Sequence, residues 1–211
     1  MKYLLTAIAL LQLSCAPKLP PELAIFEQQQ PTVSSWMNLK YQPLMFGEET
    51  KVIIDELRPV YLFPSGKSYV HGFALPAKSP IEVVIKSYLI GDSVYESYVF
   101  IPCVLLLDEN FQAIHKLEQM DSLVARTPLF ETPYVAFKNE LTFTIWPEYR
   151  VSYFVVYTTD EQLKKVSTIK MMTSSQIILP GYVGAIPTGK KMVEIPHAPV
   201  GRLKILVKDL N

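Results

Sequence analysis

Cysteine is nearly absent from this sequence. Only Cys15 and Cys103 occur in 211 residues, and Cys15 falls behind an apolar leader, so no disulfide framework is expected. An excess of either charge is also missing. Twenty Lys and Arg balance twenty Asp and Glu, a formal net charge of zero. Nucleic-acid binding needs a basic face first, so no nucleic-acid partner is expected. Histidine is scarce: His71, His115 and His197 are far apart, and none has a Cys, an Asp or a second His at metal-ligand spacing. Neither a metal nor another cofactor is therefore expected. There is no Gly-x-Ser-x-Gly nucleophile elbow. The carboxylate pairs Glu48-Glu49 and Asp108-Glu109 are adjacent in loops, which suits solvated turns better than paired acid–base work. Gly66-Lys67-Ser68 ends like a phosphate loop, but the first glycine of that motif would fall on Tyr61, and strand rather than helix follows. No residue is assigned a catalytic role, and the chain reads as a non-enzyme. Repeats, heptads and low-complexity tracts are lacking as well.

What is present is apolar and extended. The composition is 49% hydrophobic, 11% aromatic and 19% charged, which excludes a disordered chain, and 17 prolines against 8 glycines suit many short strands with Pro-marked turns. Tyr69, His71, Phe73 and Leu75 alternate with Val70, Gly72 and Ala74 at strand period, and Ile81, Val83 and Ile85 alternate with Glu82 and Lys86. Gly91-Asp92-Ser93 marks a turn. Val94 to Leu107 reads as a long strand interrupted by Pro102, which cannot donate to a ladder and so predicts an edge, a bulge or a strand switch. Asp121 is placed to cap a short helix through Ala125. Leu141 to Trp146 and Val151 to Tyr157 alternate. Thr158 and Glu161 have capping-box spacing, which predicts a single helical turn at Asp160 to Lys165. Ile169–Met172, Ile177–Leu179 and Tyr182–Ile186 read as short strands. At the end, Leu203, Ile205 and Val207 face inward and Arg202, Lys204 and Lys208 face water. The fold expected is mainly β, an antiparallel, jelly-roll-like β-sandwich over residues 51–211 with one or two short helices.

The N-terminus reads as delivery. Met1 to Ser14 has one basic residue, Lys2, and an apolar run from Tyr3 to Leu11, too short to span a bilayer and of signal-peptide length. Ser14-Cys15 resembles the lipobox of bacterial lipoproteins, with Gln12 and Leu13 departing from its usual residues. That resemblance implies lipidation of Cys15, and Ala16 behind it implies the outer membrane. Residues 15–50 then form a lipidated N-terminus, a tether and a packing arm. The tether reads as Ala16 to Gln30 with a helical turn at Pro21–Gln28, and the arm carries Trp36, Leu39 and Tyr41. Cys103, inside an apolar run, reads as an inert buried thiol.

Over Leu57 to Asn211 the chain resembles the maltose operon periplasmic protein (MalM) family. The residues carrying the likeness are Ser65-Gly66-Lys67-Ser68-Tyr69, Phe73-Ala74-Leu75-Pro76, Ile85-Lys86-Ser87-Tyr88, Phe100-Ile101-Pro102, Leu105-Leu106-Leu107-Asp108 with Phe111, Val156-Tyr157-Thr158-Thr159, and Ile195-Pro196-His197-Ala198-Pro199 with Gly201 and Leu203. The resemblance implies a shorter, lipoprotein-like member: an exported, non-catalytic protein accessory to maltodextrin or other carbohydrate uptake, or to an outer-membrane assembly with an envelope protein partner. The alternative is a carbohydrate-binding module. Tyr88, Tyr95, Tyr98, Tyr149, Tyr153 and Tyr157 gather on the middle strands near Trp146, and aromatic rings on an exposed sheet face are what stacks on a pyranose ring. Tyr95, Tyr98, Trp146 and Tyr149 are the ligand-binding candidates for an oligosaccharide. The competing explanation is that tyrosine covers half-buried strands, where its β-propensity favours it. A periplasmic enzyme of unknown reaction is the third reading.

Overall fold

The computed structural model describes residues 21–77, 80–118, 123–125, 137–179 and 182–210. Cys15 and the capping Asp121 lie outside them. In chain order the elements are α1 (Pro21–Gln28), β1 (Tyr41–Pro43), β2 (Glu49–Ile54), β3 (Val60–Phe63), β4 (Gly66–Tyr69), β5 (His71–Ala74), β6 (Ile81–Tyr88), β7 (Cys103–Leu107), β8 (Ala113–Glu118), β9 (Leu123–Ala125), β10 (Phe137–Ile145), β11 (Tyr153–Tyr157), α2 (Asp160–Leu163), β12 (Val166–Leu179), β13 (Tyr182–Pro196) and β14 (Gly201–Asp209). Single 3-10 turns lie at Trp36–Asn38, Val94–Glu96 and Pro147–Tyr149.

The strands form two five-stranded sheets, β1-β5-β11-β7-β8 and β2-β14-β6-β10-β9, with β3-β4 and β12-β13 as separate hairpins. Val104, Leu106, Phe154, Val156 and Phe73 of the first sheet meet Val52, Ile54, Ile81, Val83, Ile85, Leu203, Ile205 and Val207 of the second in one core. The fold is the expected β-sandwich, antiparallel throughout the two sheets except for β1 alongside β5. The second sheet turns one face to water, so its strands alternate: in β14 Leu203, Ile205 and Val207 are buried while Arg202 and Lys208 are exposed. The first sheet is covered on both faces. Cys103, Leu107, Val155 and Tyr157 point away from the core into a second apolar layer with Leu39, Phe63 and Val70, closed by Trp36 and Tyr61. Trp36 stacks on Tyr61 at 3.9 Å, and Phe63 stacks on Tyr157 at 4.1 Å. Double coverage explains why β7 and β11 read as unbroken apolar runs.

Several local expectations shift. Pro102 immediately precedes β7, where the chain crosses from the end of the second sheet into the middle of the first. The strand-switch option is the one realised, and a proline just outside a strand removes no ladder bond. The run from Val94 is therefore not one strand, but a 3-10 turn, two bridges (Ile90 with Tyr98, Val99 with His197) and then β7. Leu123–Ala125 is a strand against Phe137–Asn139, not helix, because a three-residue helix has too few bonds to offset its nucleation whereas an existing sheet edge supplies partners. The N-cap of α2 is Thr159, whose Oγ1 accepts the Gln162 N–H at 3.2 Å. Thr158 is instead buried, and its N–H donates to Ser68 Oγ at 3.0 Å. The three short strands expected after Ile169 are two long ones, β12 and β13, paired from Val166↔Pro196 to Leu179↔Tyr182 with an irregularity at Thr173/Ser174. Their base packs with Leu89, Val94, Val99 and Ile101 in a third apolar cluster.

The N-terminal arm is tied down earlier than its composition suggests. The helix at Pro21–Gln28 forms as read, but it is docked: Phe26 is 3% exposed in the core and lies 5.0 Å from the Tyr69 ring. Lys67 Nζ donates to the Glu27 and Gln29 carbonyls at 2.6 and 2.8 Å, satisfying free acceptors at the helix C-terminus.

Candidate functional site

Where the chain passes between sheets at one pole of the sandwich, three loops frame an open groove of about 920 Å³. Its floor is Ala74 to Ala77 with Ile81 and Ile145. One wall is Asp108 to Asn110 of the β7–β8 turn, and the other runs from Trp146 to Tyr153. Backbone bonds tie the loops together: Leu75 N–H donates to Ser152 O at 3.0 Å, and Ser152 N–H to Leu107 O at 2.9 Å.

The aromatic wall is built by a 3-10 turn. Pro147 starts it, and the Tyr149 N–H donates to the Trp146 carbonyl at 3.1 Å. Trp146, extended at the N-cap, and Tyr149, at the end of the turn, both line the groove. Both remain exposed, at 47% and 53%. The turn ends on Arg150 in the left-handed region (φ 49°, ψ 36°), and Phe111, directly after the Asp108–Asn110 wall, also has positive φ, 61°. Non-glycine residues in this region carry strain of about 1 kcal/mol or more each, and such residues gather at functional sites. Phe111 is held by stacking on Tyr153 at 4.7 Å with Tyr41 beside both. Burial, aided by Tyr153, holds the Tyr41 phenol well above its ordinary pKa, so it stays protonated and donates to Trp36 O at 2.8 Å.

The opposite wall is polar. Asp108 Oδ1 accepts the Asn110 and Gln112 N–H groups, each at 2.8 Å, so this carboxylate holds the turn. That leaves the exposed Glu109 and Asn110 side chains at the rim, with Arg150 facing the same space. The sequence assigns the Asp108-Glu109 pair to solvated turns, and gives no site role to Arg150 or to Phe111, which enters there only as part of the family likeness. Only their positive φ, invisible in sequence, distinguishes the latter two.

The four ligand-binding candidates are not brought together. Trp146 and Tyr149 share the groove. Tyr95 and Tyr98 lie near the opposite pole, because the chain from β6 to β7 turns there: Tyr95 is 56% exposed with Lys191 Nζ 4.3 Å from its ring centroid. Tyr98 is half-buried, its hydroxyl donates to Glu22 Oε1 at 2.8 Å, and burial with that carboxylate raises its pKa. Of the wider tyrosine group, only Tyr149 and Tyr153 line the groove.

The histidines and Cys103 have structural settings. Buried His197 donates from Nδ1 to Gln162 O at 2.8 Å, which leaves Nε2 to accept the Ser167 hydroxyl at 2.8 Å, fixing the Pro-flanked segment to α2 and β12. His71 bridges Arg58 (Nδ1, 3.0 Å) and Gln42 (Nε2, 3.1 Å), and burial followed by the Arg58 charge lowers its pKa to about 4. His115 is exposed on β8. Cys103 is buried with its thiol pushed up to about 12, chiefly by desolvation, which makes it unreactive.

A family model described as maltose operon periplasmic protein precursor (MalM) matches residues 65–207. The chain belongs to the MalM family. No curated protein and no solved structure matches it. The MalM match takes in all three groove loops and ends within β14, while α1 and the arm precede it. MalM describes a periplasmic family of the maltose operon, which places this chain in a periplasmic, carbohydrate-related class.

Proposed function

We propose that this MalM-family chain is a non-catalytic envelope lipoprotein, anchored at the outer membrane through acylated Cys15, that supports carbohydrate uptake by holding an oligosaccharide in the groove. Trp146 and Tyr149 stack on pyranose faces, and Glu109 and Asn110 take sugar hydroxyls at the opposite rim. The observation carrying this reading is a pair of exposed aromatic rings held by one turn against a polar wall, in a groove of ligand size. Maltodextrin is the first ligand to try, given the family.

The test uses protein truncated after Cys15, melted against maltodextrins and other oligosaccharides. A ligand at a hundred times its dissociation constant stabilises by about 2.7 kcal/mol, several degrees for a domain of this size. Trp146→Ala should abolish the shift while leaving the unliganded Tm nearly unchanged. A panel without any shift would refute the saccharide reading. What favours a protein partner instead is the outer edge of β8, the last strand of its sheet among the described residues, where Ala113 to Lys116 and Glu118 are all exposed. Crosslinking from His115→Cys in cell envelopes tests that second reading.

A further inference from the structure

The β12–β13 hairpin outruns the core that supports it. Its base is fixed: His197 ties β12 to α2, and Ile169, Val193 and Ile195 pack with Leu89, Val99 and Ile101. β9 lies against β12, and the Val94–Glu96 turn against β13. Among the described residues the apolar cluster ends at the Ile169↔Val193 rung. Pairing continues on β12 from Lys170 to Leu179, about 33 Å of strand. Neither strand has a further ladder partner among the described residues. A two-stranded ladder alone is marginal in water, so these outer rungs call for a second surface.

Charge is divided along the hairpin. Three consecutive rungs, Lys170↔Met192, Met171↔Lys191 and Met172↔Lys190, each carry one lysine. Lys190 and Lys191 are exposed, with Lys191 Nζ 4.3 Å from the Tyr95 ring centroid. Residues 171–189 contain no Asp, Glu, Lys or Arg, in a chain that is 19% charged. Adjacent rungs belong to opposite faces of a ladder, so Ile178↔Val183 and Leu179↔Tyr182 make both faces apolar at the tip. A packed protein sheet would cover one face, whereas a fluid apolar surface surrounds both. We propose that this tip enters the headgroup–acyl boundary of an anionic phospholipid surface, with the three lysines behind it drawn to the phosphates. The last three rungs rise about 10 Å, which matches the depth of interfacial insertion. Deeper entry would leave the N–H and C=O groups of both open edges unpaired in hydrocarbon. The uncharged polar run Thr173 to Gln176 then lies at headgroup level, and the lysines just outside it. At that distance, within a Debye length, each lysine contributes about fivefold to binding. The contact needs neither acylation of Cys15 nor a ligand in the groove, and each of the three can fail alone.

The test uses the unacylated chain from Ala16 onward, which keeps every described element, with phosphatidylethanolamine–phosphatidylglycerol vesicles. A polarity-sensitive dye is attached at Val183→Cys near the tip or at Glu148→Cys on the turn beside the groove. Buried Cys103 does not compete for label. The dye at 183 should shift to the blue and brighten several-fold on the vesicles, and a quencher on the acyl chains should dim it. The dye at 148 should not respond. Neutral phosphatidylcholine vesicles, or high salt, should lower the bound fraction about tenfold. Lys170→Gln with Lys190→Gln should weaken flotation several-fold with the tip intact. Ile178→Asp with Leu179→Asp should abolish flotation and leave Tm nearly unchanged, because those rungs lie beyond the packed base. No response at 183, an equal response at 148, or equal binding to neutral vesicles overturns the inference. A shift at 183 that grows with protein concentration in lipid-free buffer also overturns it, since a second copy would then cover the tip.

Discussion

The two sheets of this sandwich share a core yet obey different sequence rules. In the second sheet, β14 places Leu203, Ile205 and Val207 inward and Arg202 and Lys208 in water, so a strand of ordinary alternating pattern suffices. In the first, β11 buries Phe154, Val155, Val156 and Tyr157 in succession, because the arm and the β3–β4 hairpin cover its outer face. Burial on both faces removes the polar half of the pattern. The lesson is that an apolar run in an antiparallel protein points to a covering element elsewhere in the chain.

The comparison can be broken or sharpened by substitution. Phe154→Ala removes a ring at the centre of the shared core, stacked 5.0 Å from Phe73, and should cost about 3–5 kcal/mol in urea unfolding. The outer faces should then part company. Val155→Thr puts a hydroxyl among the apolar side chains under the arm and should cost about 1–3 kcal/mol. A cost near zero would show that the arm does not seal that face. The arm should also make stability pH-dependent. His71, joined to Gln42 of β1 and to Arg58, has a folded pKa near 4 against 6.5 for an ordinary histidine. Between these values the unfolded chain binds more protons than the folded one, so stability falls as pH drops from 6.5 toward 4. Tm followed from pH 7 to pH 4.5 should decline, and His71→Gln should reduce the slope. Smallest of all, Ile53→Thr on the solvated face of β2, already 54% exposed, should change stability by no more than about 0.5 kcal/mol. A loss there comparable to that at Val155 would mean that the second sheet is covered too.

Much of the sandwich was legible because its strands obey one period. The inward Leu203, Ile205 and Val207 and the buried Cys103 follow from pattern alone, and of the edge, bulge or strand switch that Pro102 predicts, the structure realises the strand switch. Less legible was whatever depends on distant partners. Leu123–Ala125 is extended because β10 offers an edge, and the cap of α2 falls on Thr159, whose Oγ1 accepts the Gln162 N–H, while Thr158 is buried with its N–H on Ser68. The groove shows the same divide. Trp146 and Tyr149 could be picked out as aromatic neighbours in sequence. That Glu109 and Asn110 face them depends on a crossing between sheets, and that Tyr95 and Tyr98 do not depends on where β6 ends.

β2 has one neighbour among the described residues, and it is β14. Glu49 lies opposite Leu206, so the first strand of this sheet in chain order pairs with its last. A ribosome or a translocation pore delivers the chain from its N-terminus, and during most of that delivery β2 has no edge to join. The β12–β13 hairpin can zip up as soon as it emerges, but the second sheet stays open until the last strand arrives. Until then Val52 and Ile54 lack the β14 side chains that complete their burial, and β14, which pairs with both β2 and β6, is the strand that closes the sheet.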